Sequence, residues 1–131
     1  MRFAKIVFTA AGIWGFVVLT PLYFSYDAVG VLYPPAITHP DFFYGFVGVA
    51  LVWQVAFLMI GRDPQRLHAM MIPAILEKFV YVSTLAVLYL QGRLALTQFS
   101  VAVPDLTIGV LFVVAFVKVA EAPRPAVARV V

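Results

Sequence analysis

Any chemistry in this chain has to begin from a handful of polar residues set in apolar sequence. Glu77 and Lys78 stand side by side within a hydrophobic run, Gln54 interrupts another, and Tyr81 and Thr84 follow Glu77 at helical spacing. An ionisable group inside a bilayer costs several kcal/mol unless it is paired, neutralised or wetted, so an intramembrane carboxylate is a functional candidate by default. Counting back about 20 residues from Leu90, the span of a hydrocarbon core about 30 Å thick, puts Glu77 about 9 Å from the cytoplasmic edge. Lys78 lies deeper and has the reach to snorkel toward that edge. Adjacent helical residues diverge by about 100°, so the two are poorly placed to satisfy each other. The same ruler sets Gln54 level with Glu77, which makes an amide–carboxyl hydrogen bond between helices plausible.

Two readings follow. Glu77 is a proton- or cation-responsive carboxyl, or it belongs to a polar clamp with Gln54 and Lys5 or Lys118 that fixes helix register. The clamp is the simpler expectation. Beyond Glu77 the helix offers only Tyr81, Ser83 and Thr84 before the apolar run Leu85 to Leu90, which is no continuous proton path.

A second candidate lies toward the other surface. Asp105 follows Pro104 at a helix start, where exposed amides and the helix dipole favour a carboxylate. It could also pair with Arg93 and, with Tyr89, Tyr26 and His39, form an outer-face cluster. His39 falls in a proline-rich loop and His68 just after a turn, neither with a second ligand at i+3 or i+4, so no metal and no cofactor is expected. Ser25, Ser83 and Ser100 have no histidine motif beside them, and no glycine-rich phosphate loop is present. The chain has no cysteine, which removes disulfides, thiolate metal sites and dithiol chemistry. No enzyme is expected.

The elements that must position these residues are membrane helices. Of 131 residues 64% are hydrophobic and 11% charged, against about half and a quarter in soluble domains. Apolar runs bounded by charge or turn residues predict a single all-α domain over residues 1–120, a bundle of four transmembrane helices at about 6–24, 42–60, 70–90 and 104–119. The first is too long, and its end too bulky at Leu22-Tyr23-Phe24, for a cleaved signal peptide. The segment from Asp27 to Asp41, with Pro34, Pro35 and Pro40, reads as a loop. Gly61 with Pro64 predicts the end of the second helix, and residues 121–131 a disordered cytoplasmic tail.

Arg2, Lys5, Arg62, Arg66, Lys118, Arg124 and Arg129 fall on one side of this scheme and only Arg93 on the other. Positive residues favour the cytoplasm, so both termini are expected there, in the cell (inner) membrane. The opposite side carries Tyr23, Tyr26, Tyr33, Phe42, Phe43 and Tyr44, which suit an interfacial belt. The formal charge of +3 is dispersed rather than gathered into a stripe, which argues against nucleic acid as a partner. Ala11, Gly12 and Gly15, and Gly45, Gly48 and Ala50, are spaced to let helices approach closely.

The glycine-bearing first helix (Ala11-Gly12-Ile13-Trp14-Gly15), a second helix opening Tyr44-Gly45-Phe46-Val47-Gly48, and the basic turn from Gly61 to Arg66 resemble, over nearly the whole length, the small four-helix bacterial membrane proteins described as DoxX-like. The resemblance implies a bundle and a partner, some such proteins being associated with redox or respiratory systems, and assigns no residue a role. The leading expectation is a non-catalytic accessory or scaffold subunit that packs against itself, as a homo-oligomer, or within a larger membrane complex. The alternative is a small transporter or hydrophobic-ligand binder that uses Glu77.

Overall fold

The computed structural model describes residues 1–123. Helix α1 (Arg2–Leu19) runs on through a 3-10 turn, Thr20–Phe24, and a short helix α2 (Tyr26–Leu32) leads to α3 (Pro40–Arg62). A second 3-10 turn, His68–Met70, precedes α4 (Met71–Leu90), and a single turn of helix, α5 (Leu96–Phe99), precedes α6 (Ala102–Ala120). With their flanking turns the four long segments are Arg2–Phe24, Pro40–Arg62, His68–Leu90 and Leu96–Ala120, 23 to 25 residues each. At about 1.5 Å per residue each is long enough to cross a hydrocarbon core of about 30 Å. The protein is an all-helical, multi-pass membrane bundle, with no strand among the described residues.

Several boundaries differ from the sequence reading. Helix α1 begins at Arg2 rather than near Ile6, because nothing between them breaks a helix and lipid obliges the backbone to satisfy its own hydrogen bonds. Helix α6 begins at Ala102, so Pro104 falls within its first turn, where a missing amide proton is harmless. The segment read as a loop contains α2: its prolines lie beyond Leu32, and Asp27 in the first turn of α2 favours the helix start. Gly61 does not end α3; it lies inside the helix, which continues to Arg62. The glycine with a left-handed backbone is Gly92 (φ 71°), just past the end of α4. Its amide donates to Tyr89 O (2.9 Å) and that of Arg93 to Leu88 O (2.9 Å), the pair of hydrogen bonds that closes a helix end on glycine. Of the expected tail, Pro123 O accepts a bond from Gln65 Nε2 (3.3 Å). Residues 124–131 lie outside the described residues.

The helices do not pack evenly. Helix α1 lies along α3, α4 along α6, and α1 also meets α6, whereas α3 and α4 barely touch. The centre is aromatic: Phe8 stacks on Phe112 with ring centroids 4.0 Å apart, and Phe57 meets Phe112 edge-on at 5.0 Å. All three rings are fully buried, among Ala4, Ala74, Ala115 and Met71. Lipid tails are as apolar as these side chains, so close fit rather than escape from water holds the bundle. Fit is tightest between α1 and α3, where Gly61 lies against the backbone of Thr9 and Lys5, and Gly12 against Leu58 and Gln54 O. Gly45 has open space in front of it, so the paired-glycine expectation describes α1 and misses that residue.

One end of the bundle gathers the basic residues. Lys5 O is beside Gly61, Lys118 Nζ sits 5.2 Å from the centre of the Phe3 ring, and His68 stacks on Phe116 with Nε2 3.0 Å from Phe116 O. At the other end Tyr23, Tyr26, Phe43 and Tyr44 form a run of stacked and edge-on rings, and Tyr26 Oη donates to Ile37 O (2.8 Å).

Candidate functional site

Helix α4 presents its polar residues on two adjoining faces. Glu77, Tyr81 and Thr84, one turn apart, face the open seam toward α3. Lys78, turned by about 100°, points toward α6 and is almost fully buried. Gly109 of α6 makes that possible, since a Cβ built there would lie 3.2 Å from Lys78 Cβ. One turn from Gly109 on the same face, Asp105 receives the ammonium, with Lys78 Nζ donating to Oδ1 at 2.6 Å. Glu77 Oε2 is 3.3 Å from the same nitrogen. The Phe57 ring centre lies 5.3 Å from it, adding a cation–π contact from the core.

These contacts correct three expectations. Lys78 does not snorkel toward the basic end of the bundle; it reaches the other way, because Asp105 offers a carboxylate there. Glu77 and Lys78 do approach each other despite their angular separation, since the lysine stem is long enough to bring Nζ back across α4. Glu77 and Gln54 do not form the expected bond. Gln54 faces α1, where its side chain packs against Gly15 and its Nε2 donates to Ala50 O of its own helix (2.8 Å). Residue counts set the depth of a side chain but not the rotation of its helix about the axis.

The outer-face cluster does not assemble either. Asp105 is engaged by Lys78, Tyr89 stacks on Phe99 (4.8 Å), and His39 meets Phe42 edge-on (5.8 Å). Arg93 stands in the exposed turn after α4. Lys5 and Lys118, considered as partners for Glu77, stand at the basic end beside Gly61 and Phe3. Among the described residues no group of three His, Asp or Glu side chains converges as metal ligands do.

The seam beside Glu77 is a lateral groove of about 680 Å³. Phe42, Phe46, Val49 and Trp53 of α3 form one wall, Pro73, Leu76, Val80 and Tyr81 of α4 the other, and Phe46 stacks on Tyr81 (6.1 Å). The Thr84 hydroxyl is spent on Val80 O (2.8 Å). Among the described residues the Glu77 carboxylate is therefore the one charged group on a lining that is apolar apart from the Tyr81 and Thr84 hydroxyls, and its Oε2 is buried without a hydrogen-bond partner. Sequence reasoning picks out Glu77 and misses the Lys78–Asp105 pair. The only signal for that pair is Asp105 and Gly109 at i, i+4 on a helix that the topology places next to α4. Compared with protein-family models, with curated proteins and with solved structures, the chain matches none.

Proposed function

We propose that this chain is a non-catalytic membrane protein that takes a lipid-soluble molecule into the α3–α4 seam, with Glu77 meeting the molecule's polar end. The observation that carries this reading is the groove itself. Its volume is in the range of small-molecule sites, and such sites are typically apolar with a few placed polar groups. A photoactivatable diazirine derivative of a long-chain alcohol, with protein in lipid nanodiscs, tests it. Labelling should concentrate on the groove faces of α3 and α4 and be competed by unlabelled alcohol. Gly45→Leu fills the groove from a position with nothing within 4 Å of a new Cβ, so it should weaken competition about tenfold, a change of roughly 1.4 kcal/mol. Labelling spread evenly around the bundle, or unchanged by that substitution, would sink the idea.

The same open seam favours a second reading, an accessory or scaffold subunit, because a helix of a second copy or of another membrane protein also fits between ridges that stand apart. Mass measurement in mild detergent separates the two: a lone particle that still binds the alcohol supports a ligand site, and a stable oligomer or copurifying complex supports a subunit.

The basic end, with Arg2, Lys5, Arg62, Arg66 and Lys118, supports an orientation with both termini cytoplasmic, in the cell (inner) membrane. The lack of native cysteine makes this simple to check. In intact cells a membrane-impermeant maleimide should label Arg93→Cys at once and Gln65→Cys only after permeabilisation; the reverse order would invert the topology.

A further inference from the structure

We propose that the seam selects lipophilic cations and that a proton competes with them for Glu77. This deepens the ligand reading of the same groove and rests on it.

Lys78 carries one positive charge and lies against two carboxylates. Its hydrogen bond goes to Asp105 at 2.6 Å, while the 3.3 Å approach to Glu77 Oε2 leaves that oxygen with no hydrogen-bond partner. One ammonium neutralises one carboxylate, so with both acids ionised the cluster holds a surplus negative charge, and Glu77 is the member left under-satisfied. Among the described residues no other element relieves it. Facing Glu77 are Lys78 and Tyr81 from its own helix and Asp105 from α6, while the α3 wall opposite, from Phe42 to Trp53, has no titratable side chain lining the groove. Helix α1 contains no acid, and its Lys5 is beside Gly61 at the basic end.

An uncompensated charge at this depth is costly, and two kinds of event remove it: protonation of Glu77, or arrival of a cation from the lipid. The walls suit a cation with a greasy body. Phe46, Tyr81 and Trp53 put three aromatic rings in the lining, and a cation held against such rings gains most where water is excluded. An anion of the same size would add to the surplus and be rejected. Since proton and cation satisfy the same carboxylate, each displaces the other.

Tetraphenylphosphonium and tetraphenylborate, nearly equal in size and opposite in charge, are the probes. Binding is measured to the full chain in phosphatidylcholine nanodiscs, with empty discs subtracted. The phosphonium should bind saturably and the borate should not. Phosphonium affinity should fall by about tenfold per pH unit once Glu77 takes up its proton. Glu77→Gln should abolish saturable phosphonium binding, and Glu77→Asp should keep it. Equal binding of the two ions, pH-independent binding, or phosphonium binding unchanged in Glu77→Gln overturns the cation proposal. If alcohol labelling in the groove persists alongside that result, the ligand reading survives alone; if it is absent from the wild type too, both fall.

Discussion

Lys78→Met is expected to destabilise the bundle by about 3–5 kcal/mol, the usual cost of removing one partner from a buried ion pair and leaving the other charge without compensation. Methionine keeps an unbranched stem with its Cβ against Gly109, so the loss is that of the ammonium with its two carboxylate contacts and its approach to the Phe57 ring. Two carboxylates, Glu77 and Asp105, then remain close together in a low-dielectric interior with no cation between them. The measurement is reversible denaturation in mixed micelles, read by circular dichroism. Acidification, which neutralises the carboxylates, should narrow the deficit. The double change Lys78→Met with Asp105→Asn should recover much of it, because exchanging a whole buried pair for neutral groups costs far less than halving it. A single variant as stable as the wild type would show that the pair does not hold α4 to α6.

The second large effect is expected at Gly61. A Cβ there would lie 2.9 Å from the backbone nitrogen of Thr9 and 3.3 Å from Lys5 O. Backbone atoms in the middle of a helix cannot step aside as a side-chain end can, so Gly61→Val must push α1 away from α3. Overpacking of this kind costs typically about 1–3 kcal/mol, and here it strikes the most extensive helix pairing in the molecule. A clear drop in melting temperature is the expected result, with Gly45→Val as control. That position faces open space, and its substitution should stay within about 0.5 kcal/mol of the wild type. Equal effects at the two glycines would mean that the α1–α3 contact is not close enough to exclude a side chain.

Part of the candidate site is legible in the sequence and part is not. Glu77 stands out because a carboxylate seven residues into an apolar span has no cheap explanation. Tyr81 and Thr84 can be placed on its face because helical spacing is a local property. The expected partners fail for a common reason. Depth alone pairs Gln54 with Glu77, and proximity in sequence pairs Asp105 with Arg93, yet partners across helices depend on axial rotation and on which helices are neighbours. Gln54 faces Gly15 on α1, and Asp105 faces Lys78 on α4. Helix α2 is hidden by the prolines that follow it, which signal an interruption without saying where it begins.

By itself the sequence determined the environment and the four long helices. Runs of about 20 apolar residues admit no other stable arrangement in lipid than helices that satisfy their own backbone, and that constraint acts residue by residue along the chain. The tertiary structure alone decided what the helices do to one another. It set α1 against α3 and α4 against α6 while leaving α3 and α4 apart, and it turned Lys78 inward to Asp105. It left Glu77 on the wall of the resulting seam with a buried oxygen unpartnered. The physical reason is that association in a membrane is driven by close fit and by a few polar contacts, with no general pull to bury apolar surface. Small differences at Gly12, Gly61 and Gly109 therefore choose the neighbours, and the neighbours choose which charge is left over.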